Sequence, residues 1–177
     1  MLKAAKAKRI ITACPECART LKIDYPEIVG DHGLEVIHFT ELLAEKDKYL
    51  EPGEGTIPNG EILVTFQDPC RLGRHLGIYD APRKVIADVN MKLVEMERTR
   101  KASLCCGTTC WTSCGQVSKN IQTERLIEAK STGAELLVTA CVKCQIHFRC
   151  AQNDPVLGEE IDIDIRDLAT LVAERLL

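Results

Sequence analysis

Val138-Thr139-Ala140-Cys141-Val142-Lys143-Cys144 repeats Ile11-Thr12-Ala13-Cys14-Pro15-Glu16-Cys17, and this repeat decides the fold. In each copy a run of apolar and β-branched residues, Arg9 to Ala13 and Leu136 to Ala140, predicts a short buried strand. A CxxC closes the strand at its carboxyl end and a helix follows. The similarity resumes downstream, where Ile37-His38-Phe39-Thr40-Glu41-Leu42 matches Ile163-Asp164-Ile165-Arg166-Asp167-Leu168 after a one-residue gap. Each copy therefore continues with a second strand and a second helix. Strands that alternate with helices build parallel sheets.

The fold class that follows is α/β, with two pseudo-repeated Rossmann-like α/β lobes, short parallel sheets, and a truncated first lobe. Residues 1–50 read as the C-terminal part of a first repeat and residues 61–177 as a complete one. The turn-rich stretch 51–60 separates them. If Cys14 corresponds to Cys141, the counterpart of Cys106 falls before residue 1, so the chain is expected to begin inside its first repeat. Within the second copy, Glu61 to Phe66 predicts a strand, and Asp68-Pro69-Cys70 opens a short helix through Arg74. Ala81 to Val89 predicts a helix and Lys92 to Glu97 a strand. Val117, Ile121, Leu126 and Ile127 give helical spacing over Gln116 to Lys130, with Gly133 as the stop. Asp167 to Leu177 predicts a closing amphipathic helix.

The cysteines of this second copy form a ladder. Thirty-four residues separate Cys70 from the pair Cys105-Cys106, and thirty-four more separate that pair from Cys141, which starts a CxxC ending at Cys144. One tetrahedral ion takes four ligands. A fifth thiolate and an adjacent pair suit an iron-sulfur cluster, whose several irons each need ligands. In open α/β sheets such groups meet outside the carboxyl ends of the strands. Helix N-termini after Cys70, Cys114 and Cys141 would aim amides at the same rim. Gly107 would let the backbone pass close to a bulky inorganic core.

Composition narrows the function classes. Ten cysteines in 177 residues would suit a disulfide scaffold in a secreted chain, but the basic opening residues lack the apolar run of a signal peptide. Every apolar run is broken by charge well before the roughly 20 residues that span a bilayer. A soluble, cytoplasmic chain is expected, without direct membrane insertion, reaching a membrane only through a partner subunit. A hydrophobic content of 45% supports a real core. A net charge of −3 with interspersed signs, and seven aromatic residues, argue against nucleic-acid binding.

The phrases Gln67-Asp68-Pro69-Cys70-Arg71-Leu72-Gly73-Arg74, Cys105-Cys106-Gly107 and Thr139-Ala140-Cys141-Val142-Lys143-Cys144-Gln145-Ile146-His147-Phe148 resemble the cysteine-rich CCG domain. The module occurs in the B and D subunits of heterodisulfide reductase and in related iron-sulfur oxidoreductase subunits. The resemblance implies a non-cubane 4Fe-4S cluster held by Cys70, Cys105, Cys106, Cys141 and Cys144, with zinc as the alternative for a degenerate site. It further implies disulfide reduction or electron transfer on a small disulfide substrate, with electrons delivered by an iron-sulfur, flavin or cytochrome subunit. In such reductases two CCG domains face each other. Here the first copy retains only Cys14 and Cys17, so a homodimer or a second CCG-bearing chain would have to complete a two-cluster site. A zinc-stabilised assembly module without redox activity is the competing function class.

Other candidates keep two readings. Cys14 and Cys17 are either metal ligands or a structural remnant. Cys110 and Cys114, around Trp111, form a thiol pair supporting the ligands, complete the ligand set of Cys14 and Cys17, or are buried spectators. Cys150 reads as a small apolar residue after a helix. His75 and His147 are candidate catalytic proton donors to a product thiolate, and otherwise ordinary packing residues. Arg71 and Arg74 either attract an anionic substrate or form a solvated helix face.

Overall fold

The computed structural model describes residues 6–45, 62–108, 114–156 and 160–176. The separating stretch 51–60, Cys110 and Trp111 lie outside the described residues. Two parallel sheets are present. The first pairs β1 (Arg9–Thr12) with β2 (Glu35–His38). The second has the order β4-β3-β5-β6, built from β3 (Ile62–Gln67), β4 (Met91–Leu93), β5 (Leu136–Thr139) and β6 (Asp164–Asp167).

Seven α-helices connect the described strands: α1 (Pro15–Arg19), α2 (Tyr25–Val29), α3 (Phe39–Glu45), α4 (Asp80–Asp88), α5 (Gln116–Ser131), α6 (Val142–Gln152) and α7 (Leu168–Leu176). A π-helical turn, Thr20–Asp24, joins α1 to α2. Pro26 explains it: proline has no N–H to donate to the carbonyl four residues back, and its ring crowds that carbonyl, so the helix widens there.

Strand alternation assigns two faces to the larger sheet. Val64, Phe66 and Val138 pack with Val85 and Ile86 of α4 and Leu171 and Val172 of α7. Leu137 and Ile165 pack on the opposite face with Leu126 and Ala129 of α5 and Phe148 and Ala151 of α6. Helices thus cover both faces, as a parallel sheet requires. Phe39 and Leu43 of α3 join the first of these cores, which docks the smaller lobe onto α4.

The repeat is real in backbone terms, with a corrected downstream alignment. Thr12 pairs with His38 and Thr139 with Asp167, so His38 corresponds to Asp167 rather than to Asp164. Pairing register fixes the match: in both copies that residue ends a strand, and the helix starts at the next one. Asp167 Oδ1 accepts the N–H of Ala169 at 2.9 Å, and His38 Nδ1 meets Thr40 Oγ1 at 2.8 Å.

Three further expectations change. Residues 70–76 form successive turns instead of a helix, with Gly73 N–H on Pro69 O at 2.8 Å and His75 N–H on Cys70 O at 3.2 Å. The strand expected over Lys92 to Glu97 ends at Leu93, because Glu95 and Thr99 turn back onto Arg83. Helix α5 is also rotated from its apolar spacing. Val117 and Ile127 are exposed, while Ser118, Gln122, Arg125 and Glu128 are buried.

Candidate metal centre

The larger sheet changes winding direction between β3 and β5, since β4 lies on one side of β3 and β5 and β6 lie on the other. Ligands in open α/β sheets bind at such a switch point. Gln67 and Thr139, the last residues of the two strands, are paired directly. Cys70 follows one strand and Cys141 the other, so both thiols emerge at the same rim.

The third cysteine group arrives on the loop after β4, and a buried polar network holds that loop. Arg125, fully buried, donates from Nε to Gln67 Oε1 at 2.6 Å, from Nη1 to Arg98 O and Glu128 Oε2 at 2.8 Å each, and from Nη2 to Ser103 Oγ at 2.9 Å. Gln67 Nε2 donates to Leu104 O at 2.9 Å, immediately before Cys105. Beside it, Asp68 takes both Arg83 Nη atoms at 2.8 Å and the N–H of Arg100 at 2.8 Å. Both networks tie the end of β3 to residues 98–104. They therefore fix Cys70 and Cys105 relative to each other.

The result is an unbroken row of five sulfurs. Neighbouring thiols shift one another's titration in sequence: Cys70 and Cys105, Cys105 and Cys106, Cys106 and Cys144, and Cys144 and Cys141. Cys106, Cys141 and Cys144 are buried, and Cys70 and Cys105 are half-buried. Negative charge in the row concentrates on two members. Cys105 is pulled far down by the thiols of Cys106 and Cys70 and by the amides of Gly107 and Thr108, against burial. Cys141 falls to about 7 through the Cys144 thiol, against burial, with help from the amides of Cys144 and Lys143. Those two amides belong to the first turn of α6, where helix N–H groups are unpaired. Cys70, Cys106 and Cys144 are raised by neighbouring thiols and burial, Cys106 to about 12.

Gly107 serves this arrangement differently from expectation. Its φ is +73°, and a Cβ would lie 2.7 Å from Ser118 O and 3.0 Å from Gln122 Cγ. The glycine lets the CCG turn press against α5.

His147 is buried and lies within the electrostatic reach of Cys105; burial lowers its pKa, and its Nδ1 is 3.2 Å from Gln122 Nε2. The exposed His75 side chain turns toward the smaller lobe, where its Nδ1 accepts from Arg19 Nε at 2.9 Å and lies 3.3 Å from Arg71 Nη1. Arg74 Nη1 donates to Ser103 O at 2.6 Å. Cys14 and Cys17 flank the first turn of α1, the latter being exposed. Cys114 is exposed, with Sγ 3.9 Å from Gln122 Nε2, so it is no buried spectator. Cys150 is also exposed and lies within α6; Lys119 Nζ sits 3.4 Å from its sulfur.

Among the described residues, no three His, Cys, Asp or Glu side chains converge as a single-ion site. Cys14, Cys17 and Cys114 therefore do not form one.

Residues 64–149 match the cysteine-rich domain family CCG. Its relatives include the D subunit of dihydromethanophenazine:CoB–CoM heterodisulfide reductase from Methanosarcina mazei, 33% identical over 99% of this chain and 42% of that protein. The EtfAB:quinone oxidoreductase of Syntrophomonas wolfei is 34% identical over 77% of this chain and 20% of its own length. A component of the fumarate reductase (CoM/CoB) of Methanothermobacter marburgensis, its B subunit, is 29% identical over 90% of this chain and 31% of its own length. The chain thus spans about two fifths of the heterodisulfide reductase subunits it matches. Among the described residues, no helix is long and apolar enough to cross a membrane.

Proposed function

We propose that the chain is an iron-sulfur oxidoreductase subunit of heterodisulfide reductase type, with a non-cubane 4Fe-4S cluster on Cys70, Cys105, Cys106, Cys141 and Cys144. The unbroken row of five sulfurs at the sheet's switch point carries this reading. A row of neighbouring thiols suits a group of several irons better than one tetrahedral ion. The CCG family and the iron-sulfur relatives point the same way.

When bound, the cluster would supply one-electron chemistry for cleaving a small disulfide or for passing electrons onward. The residues around it do the rest. Amides of Gly107, Thr108, Lys143 and Cys144 stabilise thiolate charge at Cys105 and Cys141. Cys70, Cys106 and Cys144 give up protons on metal binding, which makes loading pH-dependent. His147, buried against Gln122 and close to Cys105, is the better placed of the two candidate histidines to protonate a product thiolate. His75 instead bridges arginines at the junction of the lobes.

Cys14 and Cys17, in the 1–50 segment read as part of a first CCG repeat, offer a second thiol pair. A homodimer or a second CCG-bearing chain would complete a second metal site there. Electrons would come from an iron-sulfur, flavin or cytochrome subunit, on the cytoplasmic side of any membrane that partner occupies.

The deciding experiment measures iron, zinc and acid-labile sulfide on anaerobically purified protein, with its electron paramagnetic resonance spectrum. About four irons with matching sulfide per chain is the expected result. About one zinc without sulfide would replace this reading with the zinc-stabilised assembly module. Cys106→Ser should lose the iron; wild-type iron content in that variant would overturn the ligand assignment.

A further inference from the structure

Lys143 is an odd choice for its place. It lies in the first turn of α6, between Cys141 and Cys144, where the helix dipole disfavours a cation. Its compensation comes from the other lobe: Glu16, the residue at the same place in the first CxxC, forms an ion pair with Lys143. Glu16 also lies 4.0 Å from Arg71, the residue after Cys70. One carboxylate from the smaller lobe thus faces two cations, each adjacent in sequence to a cysteine of the five-sulfur row. All three side chains are partly buried, at 33% exposure for Glu16, 30% for Arg71 and 19% for Lys143. Their fields are consequently screened less than at an open surface.

Resting on the proposed function, we propose that Glu16, with Lys143 and Arg71 as its counter-charges, sets the reduction potential of the five-cysteine centre from the opposite lobe. The physical argument is electrostatic. Reduction adds negative charge at the centre, which a nearby cation favours and a nearby carboxylate opposes. The group is also a geometric clamp, since Glu16 reaches both segments that carry Cys70 and Cys141. A purely structural clamp and a potential-setting one predict different signs when its members are neutralised.

The test is a potentiometric titration of the anaerobic, iron-loaded chain, followed by electron paramagnetic resonance, for wild type, Glu16→Gln, Lys143→Gln and the double variant. Glu16→Gln is expected to raise the midpoint potential and Lys143→Gln to lower it. The double variant should fall between the two. Shifts of one sign in both single variants, or no shift in either, would overturn the proposal. If one single variant fails to retain iron, the sign of the shift in the other decides. Iron and sulfide in unmodified protein judge the cluster, and only the signs in the variants judge Glu16.

Discussion

Arg125 Nε donates to Gln67 Oε1 at 2.6 Å, joining the middle of α5 to the last residue of β3 in a fully buried contact. The same guanidinium reaches Ser103 and Glu128, so one side chain connects the strand that leads to Cys70 with the loop that leads to Cys105. Breaking a buried ion pair by removing one partner costs about 3–5 kcal/mol. Arg125→Met is expected to lose stability of that order in urea denaturation and to lower the iron content per chain.

Gly107→Ala should fail for two separate reasons. A side chain at φ +73° is strained, and its Cβ would meet Ser118 O at 2.7 Å. Together these cost about 2–4 kcal/mol. The measurements are the urea midpoint and the visible absorbance of reconstituted protein, and both should fall.

His38 makes stability depend on acid. Burial pushes its imidazole down to about 4 from an ordinary 6.5. Between those values the unfolded chain binds the proton and the folded one does not. This contribution is therefore complete above pH 6.5 and declines toward pH 4, by about 3 kcal/mol. Asp167, its counterpart in the repeat, is shifted up by burial and works in the opposite sense. Denaturation of wild type and His38→Asn across pH 4 to 7.5 should show a shallower acid decline in the variant.

Thiol accessibility should divide the cysteines into two groups. Cys17, Cys114 and Cys150 are exposed, whereas Cys106, Cys141 and Cys144 are buried. Brief iodoacetamide treatment of folded protein, read by peptide mass spectrometry, should label the first group and spare the second. Rapid labelling of Cys106 would contradict the burial of the row.

Much of this was legible in the chain. The TACxxC repeat announced the parallel α/β architecture, and the ladder named Cys70 and Cys141, which follow the paired ends of β3 and β5. The supporting shell was not legible. Arg125, Glu128 and Gln122 look like the solvent face of a helix, and Val117 and Ile127 look like its core face, yet the structure reverses this. The reversal has a tertiary cause: the buried side chain of Gln67 and the carbonyls of Arg98 and Leu104 take polar partners, and local periodicity contains no record of them. The downstream repeat misled by three residues at its second strand for a related reason. Apolar similarity between Ile37 and Ile163 outweighed the residue that caps the next helix, which only strand pairing could identify.

The pairing of Gln67 with Thr139 also makes the centre depend on a contact between distant parts of the chain. Cys70 and Cys141 are distant along the chain, and they become neighbours only when β3 and β5 zip together across everything between. Such non-local closure is slow compared with helix formation. A group held by both thiols is therefore complete only after synthesis has passed Cys141 and the two strands have paired.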